Sequence, residues 1–103
     1  YDNTPAAPSS TTETFWQAGT WNKGKTYTWG FSHTPTSGSE VTVVNVHGQG
    51  KLTNTYSVTV NGNTVGIGSG SYIYISGSTL YLYCNSLAYL QSPPIRFECT
   101  YSY

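Results

Sequence analysis

Charge is what this sequence has least of. Four acids (Asp2, Glu13, Glu40, Glu98) and four bases (Lys23, Lys25, Lys51, Arg96) make up 8% of its 103 residues. An average soluble protein carries about 25%. Four scattered bases cannot neutralise a run of phosphates, so no nucleic-acid partner is expected. Nor do they make the basic cluster that docks on an anionic membrane. Apolar runs are short, far below the ~20 residues of a spanning helix, and no membrane span is expected. Methionine is absent altogether. With neither an initiator Met nor a signal peptide, the expectation is a mature, processed chain. No Asn-x-Ser/Thr sequon occurs, so N-glycosylation is not expected.

The groups that carry most catalysis are also scarce. His33 and His47 are the only histidines, and no nucleophile elbow accompanies them. Glu40 and Glu98 are the one carboxylate pair to weigh as a glycosidase couple, and two isolated surface carboxylates is the preferred reading. Zinc needs four N or S ligands at recognisable spacing, and calcium needs clustered oxygens; neither pattern is present. We therefore expect no enzyme, no metal and no cofactor. There are two cysteines, Cys84 and Cys99. An even count in a low-charge, hydroxyl-rich chain points to an oxidising, extracellular location and a Cys84–Cys99 bridge. Closing a loop of about 15 residues would add about 3 kcal/mol. The competing reading is two reduced thiols buried as small apolar groups.

Aromatic residues are abundant: ten Tyr, three Trp and three Phe. The most ordered pattern runs from Tyr72 to Cys84. In a strand, side chains alternate between faces with period two. Ile73 and Ile75 then share one face, Tyr72 and Tyr74 the other. A two-residue Gly77-Ser78 turn of type II′ pairs Tyr72 with Tyr83, Ile73 with Leu82, Tyr74 with Tyr81 and Ile75 with Leu80. A three-residue loop would mix the faces. The hairpin thus has an aliphatic side ending in Cys84 and a side of four tyrosines.

The rest of the chain also reads as short strands. Lys25 to His33 alternates, with Tyr27, Trp29, Phe31 and His33 on one side. Val41 to Val46 changes phase at Val43-Val44, which predicts burial on both faces or a bulge. Asn61-Gly62 predicts a type I′ hairpin pairing Val58 with Val65 and Tyr56 with Ile67. Ser92-Pro93-Pro94 predicts an extended bend. Ile95 through Phe97, Cys99 and Tyr101 to Tyr103 is the last strand. No window has a helical period. The fold class is all-β, a small antiparallel β-sandwich, immunoglobulin-like or jelly-roll-like, with one disulfide. Residues 1–14 read as an extended arm or linker, and 15–103 as one domain.

Tyrosine pairs an apolar ring with a polar tip and suits half-wet surfaces. Sugar rings stack on such faces while their hydroxyls bond Asn, Gln, Ser and Thr. The expected function is therefore secreted, non-enzymatic surface recognition. The partner is a neutral polysaccharide or glycan, held by Tyr72, Tyr74, Tyr81 and Tyr83 with Trp16 and Trp21. The alternative partner is other copies of the chain, in a filament or surface layer, the tyrosine face being the interface. A small secreted toxin or inhibitor is a third class. Cross-strand tyrosine pairs also stabilise any sheet, and such a face can equally be buried.

Overall fold

The structure is a computed structural model and describes residues 9–17, 22–44, 55–62, 64–68, 70–85 and 95–103. These form β1 (Ser10–Gln17), β2 (Thr26–Gly30), β3 (Glu40–Val44), β4 (Thr55–Thr59), β5 (Val65–Gly68), β6 (Ser71–Ser76), β7 (Thr79–Tyr83) and β8 (Ile95–Ser102). No helix occurs among the described residues. Two antiparallel sheets of four strands result, ordered β1-β8-β3-β4 (sheet A) and β2-β7-β6-β5 (sheet B). The architecture is all-β and consistent with a small β-sandwich.

Strand periodicity selects the core. Ile73, Ile75, Leu80 and Leu82 of β6 and β7 are fully or almost fully buried, together with Val41, Val43, Val58, Phe97, Cys99 and Tyr101 of sheet A. Each buried aliphatic side chain contributes roughly 1.5–3 kcal/mol. The β6–β7 register is the one predicted: Tyr72↔Tyr83, Ile73↔Leu82, Tyr74↔Tyr81 and Ile75↔Leu80. Gly77 opens the turn at φ +58°, where glycine has no Cβ to clash. In β3, Val41 and Val43 point inward and Val44 lies half-buried on the other face, so this part of the strand alternates simply.

One edge of the sandwich is closed by aromatics and a carboxylate. Phe31 meets Phe15 edge-on at 5.5 Å and Tyr101 at 4.7 Å, and Trp29 lies 4.4 Å from Phe97. The Trp29 Nε1 donates to the Trp16 carbonyl at 3.3 Å, which ties β2 to β1 across the two sheets. At the other edge the chain passes from sheet A to sheet B after Val60. Val60 bridges Ile75, and Asn61 N donates to the Ile75 carbonyl at 3.0 Å.

That passage corrects the hairpin expected at Asn61-Gly62. β4 pairs with β3 and β5 with β6, so Val58 faces Val41 and Val65 faces Ile73. A type I′ turn needs two positive-φ residues. Asn61 has φ 57°, but Gly62 is not in that region, so the turn carries the chain between sheets. The Ser-Thr-rich stretch before Phe15 is a strand from Ser10 onward, with Ser10 opposite Ser102 and Thr14 opposite Glu98. Its inward positions Thr11 and Glu13 are polar like the outward Ser10, Thr12 and Thr14, which hid the period. Residues 1–8, the continuation of the β3 pattern through Asn45 and Val46, and the Ser92-Pro93-Pro94 bend lie outside the described residues.

The expected disulfide is also corrected. Cys84 and Cys99 are free thiols, both buried. Both point inward as anticipated, but at different levels. Cys84 follows β7 and exchanges backbone hydrogen bonds with Gly24 and Lys25. Cys99 lies between Phe97 and Tyr101, which pack on Trp29 and Phe31. From Lys25 to Trp29 is four residues, about 13 Å along an extended chain. A bridge needs Cα atoms within about 7 Å. Burial pushes the Cys84 thiol up to about 11. Burial, then the charges of Glu13 and Glu98, push Cys99 up to about 12. Both are therefore protonated and unreactive at neutral pH.

An alkylating reagent should accordingly label neither cysteine in the native protein and both in urea. A thiol reductant should leave the urea midpoint unchanged. A midpoint that falls on reduction would show that the two sulfurs are joined.

Candidate functional site

The outer face of sheet B is built from the alternate positions the core leaves free. Across it runs one row of Thr26, Tyr83, Tyr72 and Gly66, from β2, β7, β6 and β5 in turn. Beside it lies a second row of Thr28, Tyr81 and Tyr74, which has no β5 member because that strand begins at Val65. All four tyrosines are half-buried. The four strands beneath them, TYTWG, VGIG, SYIYIS and TLYLY, contain no Asp, Glu, Lys or Arg.

The rings form two stacked pairs. Tyr74 and Tyr81 are nearly parallel, 4.5 Å between centroids with 2° between planes. Tyr72 and Tyr83 stack at 5.1 Å and 27°, and Tyr72 lies 6.1 Å from Tyr74. Cross-strand neighbours sit about 4.5–5.5 Å apart, which matches aromatic contact and adds about 0.5–1.5 kcal/mol per pair. Within each pair one face of each ring is taken by its partner. Next to Tyr72, a Cβ built on Gly66 would meet nothing within 4 Å. The missing side chain leaves open space at that end of the platform.

Of the residues expected to act together, the structure assembles Tyr72, Tyr74, Tyr81 and Tyr83. Trp16 is separate. It is 61% exposed on the outer face of sheet A, opposite Arg96 and on the other side of the sandwich. Trp21 lies outside the described residues. Thr26, Thr28 and Gly66 join the platform unannounced. Their pairing with the tyrosine strands joins segments distant in sequence, although the alternation Thr26-Tyr27-Thr28-Trp29 already places the threonines opposite the core face.

Carboxylates lie elsewhere. Val44 pairs with Glu98, and Glu40 is four residues away along β3, about 13 Å. Glycosidase carboxyls are about 5–9.5 Å apart. Glu98 instead pairs with Arg96 at 3.6 Å. Among the described residues no group of His, Cys, Asp and Glu is placed to hold a metal ion.

Glu13 was not singled out by the sequence, yet it gathers several polar contacts. Both its oxygens accept from Ser32 N, at 3.1 and 3.0 Å, and it accepts from the Tyr101 hydroxyl. That hydroxyl in turn accepts from His33 N at 3.1 Å. His33 stacks on Tyr103 at 3.9 Å. Burial by itself would raise the Glu13 carboxyl; the hydrogen bonds from Tyr101 and Ser32, with the His33 charge, outweigh it and lower it. Tyr101 is raised by burial and then by its bond to Glu13. The cluster clips β1 of sheet A to the chain leaving β2 of sheet B. No family model, curated protein or solved structure matches the chain.

Because the Glu13 pKa is lowered on folding, its contribution is complete above the ordinary carboxylate range. It is lost as pH falls through the lower folded value. Glu13→Gln should therefore reduce stability at neutral pH and flatten the acid limb of a pH–stability curve measured by urea unfolding. An unchanged acid limb would remove Glu13 from this role.

Proposed function

We propose that this is a non-enzymatic recognition module that binds a neutral polysaccharide or glycan through the outer face of sheet B. The observation that carries the reading is the platform of four half-exposed tyrosines on strands without a charged residue. Burying a sugar there strands no side-chain charge of these strands away from water. The ring faces offer apolar contact to sugar C–H groups. Tyr hydroxyls, Thr26 and Thr28 offer hydrogen bonds to sugar hydroxyls. The open space beside Tyr72 at Gly66 fits a ring stacked on the one Tyr72 face that Tyr83 does not use.

The proposed location is extracellular, supported by the low charge and hydroxyl-rich composition alone, since the free thiols withdraw the cysteine argument. On topology, β1 pairs with β8 in one sheet and β2 with β7 in the other. This nesting favours the jelly-roll-like form over the immunoglobulin-like one. Self-assembly is the second reading, since the same tyrosine face would suit a subunit contact and, among the described residues, β4 and β5 are the last strands of their sheets.

Gly66→Val separates binding from folding. The position has room for a side chain and lies in a strand, so the variant should keep or slightly raise stability. It should weaken binding to neutral glucans, mannans or xylans by about tenfold or more, about 1.4 kcal/mol, read by titration calorimetry. Wild-type protein that binds none of these on an array, with ordered oligomers in light scattering, would replace the carbohydrate reading by the assembly one.

A further inference from the structure

We infer that Tyr74 and Tyr81 form an oxidative cross-linking site, at which a peroxide-dependent one-electron oxidant joins the two rings as an intramolecular dityrosine. The pair is prearranged for this reaction. Its rings are parallel within 2°, with centroids 4.5 Å apart, and both are half-exposed at adjacent positions on paired strands. The neighbouring pair is less well aligned, at 27° and 5.1 Å. Tyr101 and Tyr103 are farther apart and inclined, at 6.0 Å and 52°, and the Tyr101 ring is buried.

The sulfur groups that ordinarily take up oxidants are absent or buried. The chain has no methionine. Both thiols are buried and, with pKa values pushed to about 11 and 12, protonated. Thiolates and thioethers are ordinarily the groups oxidised first. Oxidation is thereby directed to surface aromatics. A radical formed on any of the four tyrosines has ring neighbours at 5.1, 6.1 and 4.5 Å, a continuous path from Tyr83 through Tyr72 and Tyr74 to Tyr81.

The chemistry balances. Each phenol loses one electron and its hydroxyl proton, giving two phenoxyl radicals. These couple through ring carbons ortho to oxygen, and the two displaced ring hydrogens move to the oxygens. The two tyrosines are oxidised and one hydrogen peroxide is reduced to two waters. The bond that breaks is the peroxide O–O bond, and the bond that forms is the ring carbon–carbon bond. It would tie β6 to β7 on their outer face, beside the turn at Gly77.

Dilute native protein treated with a haem peroxidase and hydrogen peroxide tests this. The monomer, isolated under denaturing conditions, should show dityrosine fluorescence and a mass lower by two hydrogens. Tyr74→Phe and Tyr81→Phe, which keep the ring and the strand preference, should each lose that product, and Tyr72→Phe should keep it. Wild-type protein oxidised in urea, where the stack is gone, should lose it too. A monomer without dityrosine, or one whose dityrosine persists in Tyr74→Phe or in urea, would overturn the proposal.

Discussion

The two-residue turn at Gly77-Ser78 is the constraint on which the rest depends. A strand has two faces, and a one-residue slip in pairing exchanges them completely. Gly77 at φ +58° holds the turn at two residues, which keeps Ile75 opposite Leu80 and Tyr74 opposite Tyr81. Every aliphatic side chain of β6 and β7 is then core, and every tyrosine is outside. β7 passes the same face assignment to β2, setting Tyr27 and Trp29 inward and Thr26 and Thr28 outward. β6 passes it to β5, which sets Gly66 beside Tyr72.

Sheet A completes the core from the other side and carries the charge. Among the strands, Glu13, Glu40, Arg96 and Glu98 all belong to it. Lys23 and Lys25 lie in the turn before β2, where Lys25 Nζ sits 5.0 Å over the Tyr27 ring. This segregation leaves sheet B with a polar but uncharged exterior. The two sheets are joined at one edge by the Glu13, Ser32 and Tyr101 hydrogen bonds over packed aromatics, and at the other by the crossing at Val60 and Asn61. A carboxylate held by backbone and phenol donors is stronger than a neutral contact, and it fixes β1 at the margin of its sheet.

What could be read from the chain was whatever local spacing controls. Tyr72 to Tyr83 carries its faces, its turn and its register within a dozen residues, and all three were legible. The last strand was legible for the same reason, since Phe97, Cys99 and Tyr101 alternate without interruption. The hairpin at Asn61-Gly62 misled because a turn signal says that the chain reverses, not which sheet receives it. Cys84 and Cys99 misled because facing the same core says nothing about height along the strands. Glu13 was opaque because its partners, Ser32 and Tyr101, are 19 and 88 residues away. The candidate site was half visible: its tyrosines follow from the hairpin, whereas Thr26, Thr28 and Gly66 enter through sheet order.

Function, in this account, rests on which face of the β6–β7 hairpin meets water. Equilibrium urea unfolding of Ile73→Ala beside Tyr72→Thr compares the two faces at adjacent positions of one strand. The inward truncation should cost about 2–5 kcal/mol through lost burial and the cavity it leaves. The outward one should cost only about 1 kcal/mol, the worth of a cross-strand pair. If Tyr72→Thr instead destabilised the protein as much as Ile73→Ala, the tyrosines would be core, and the recognition face would not exist.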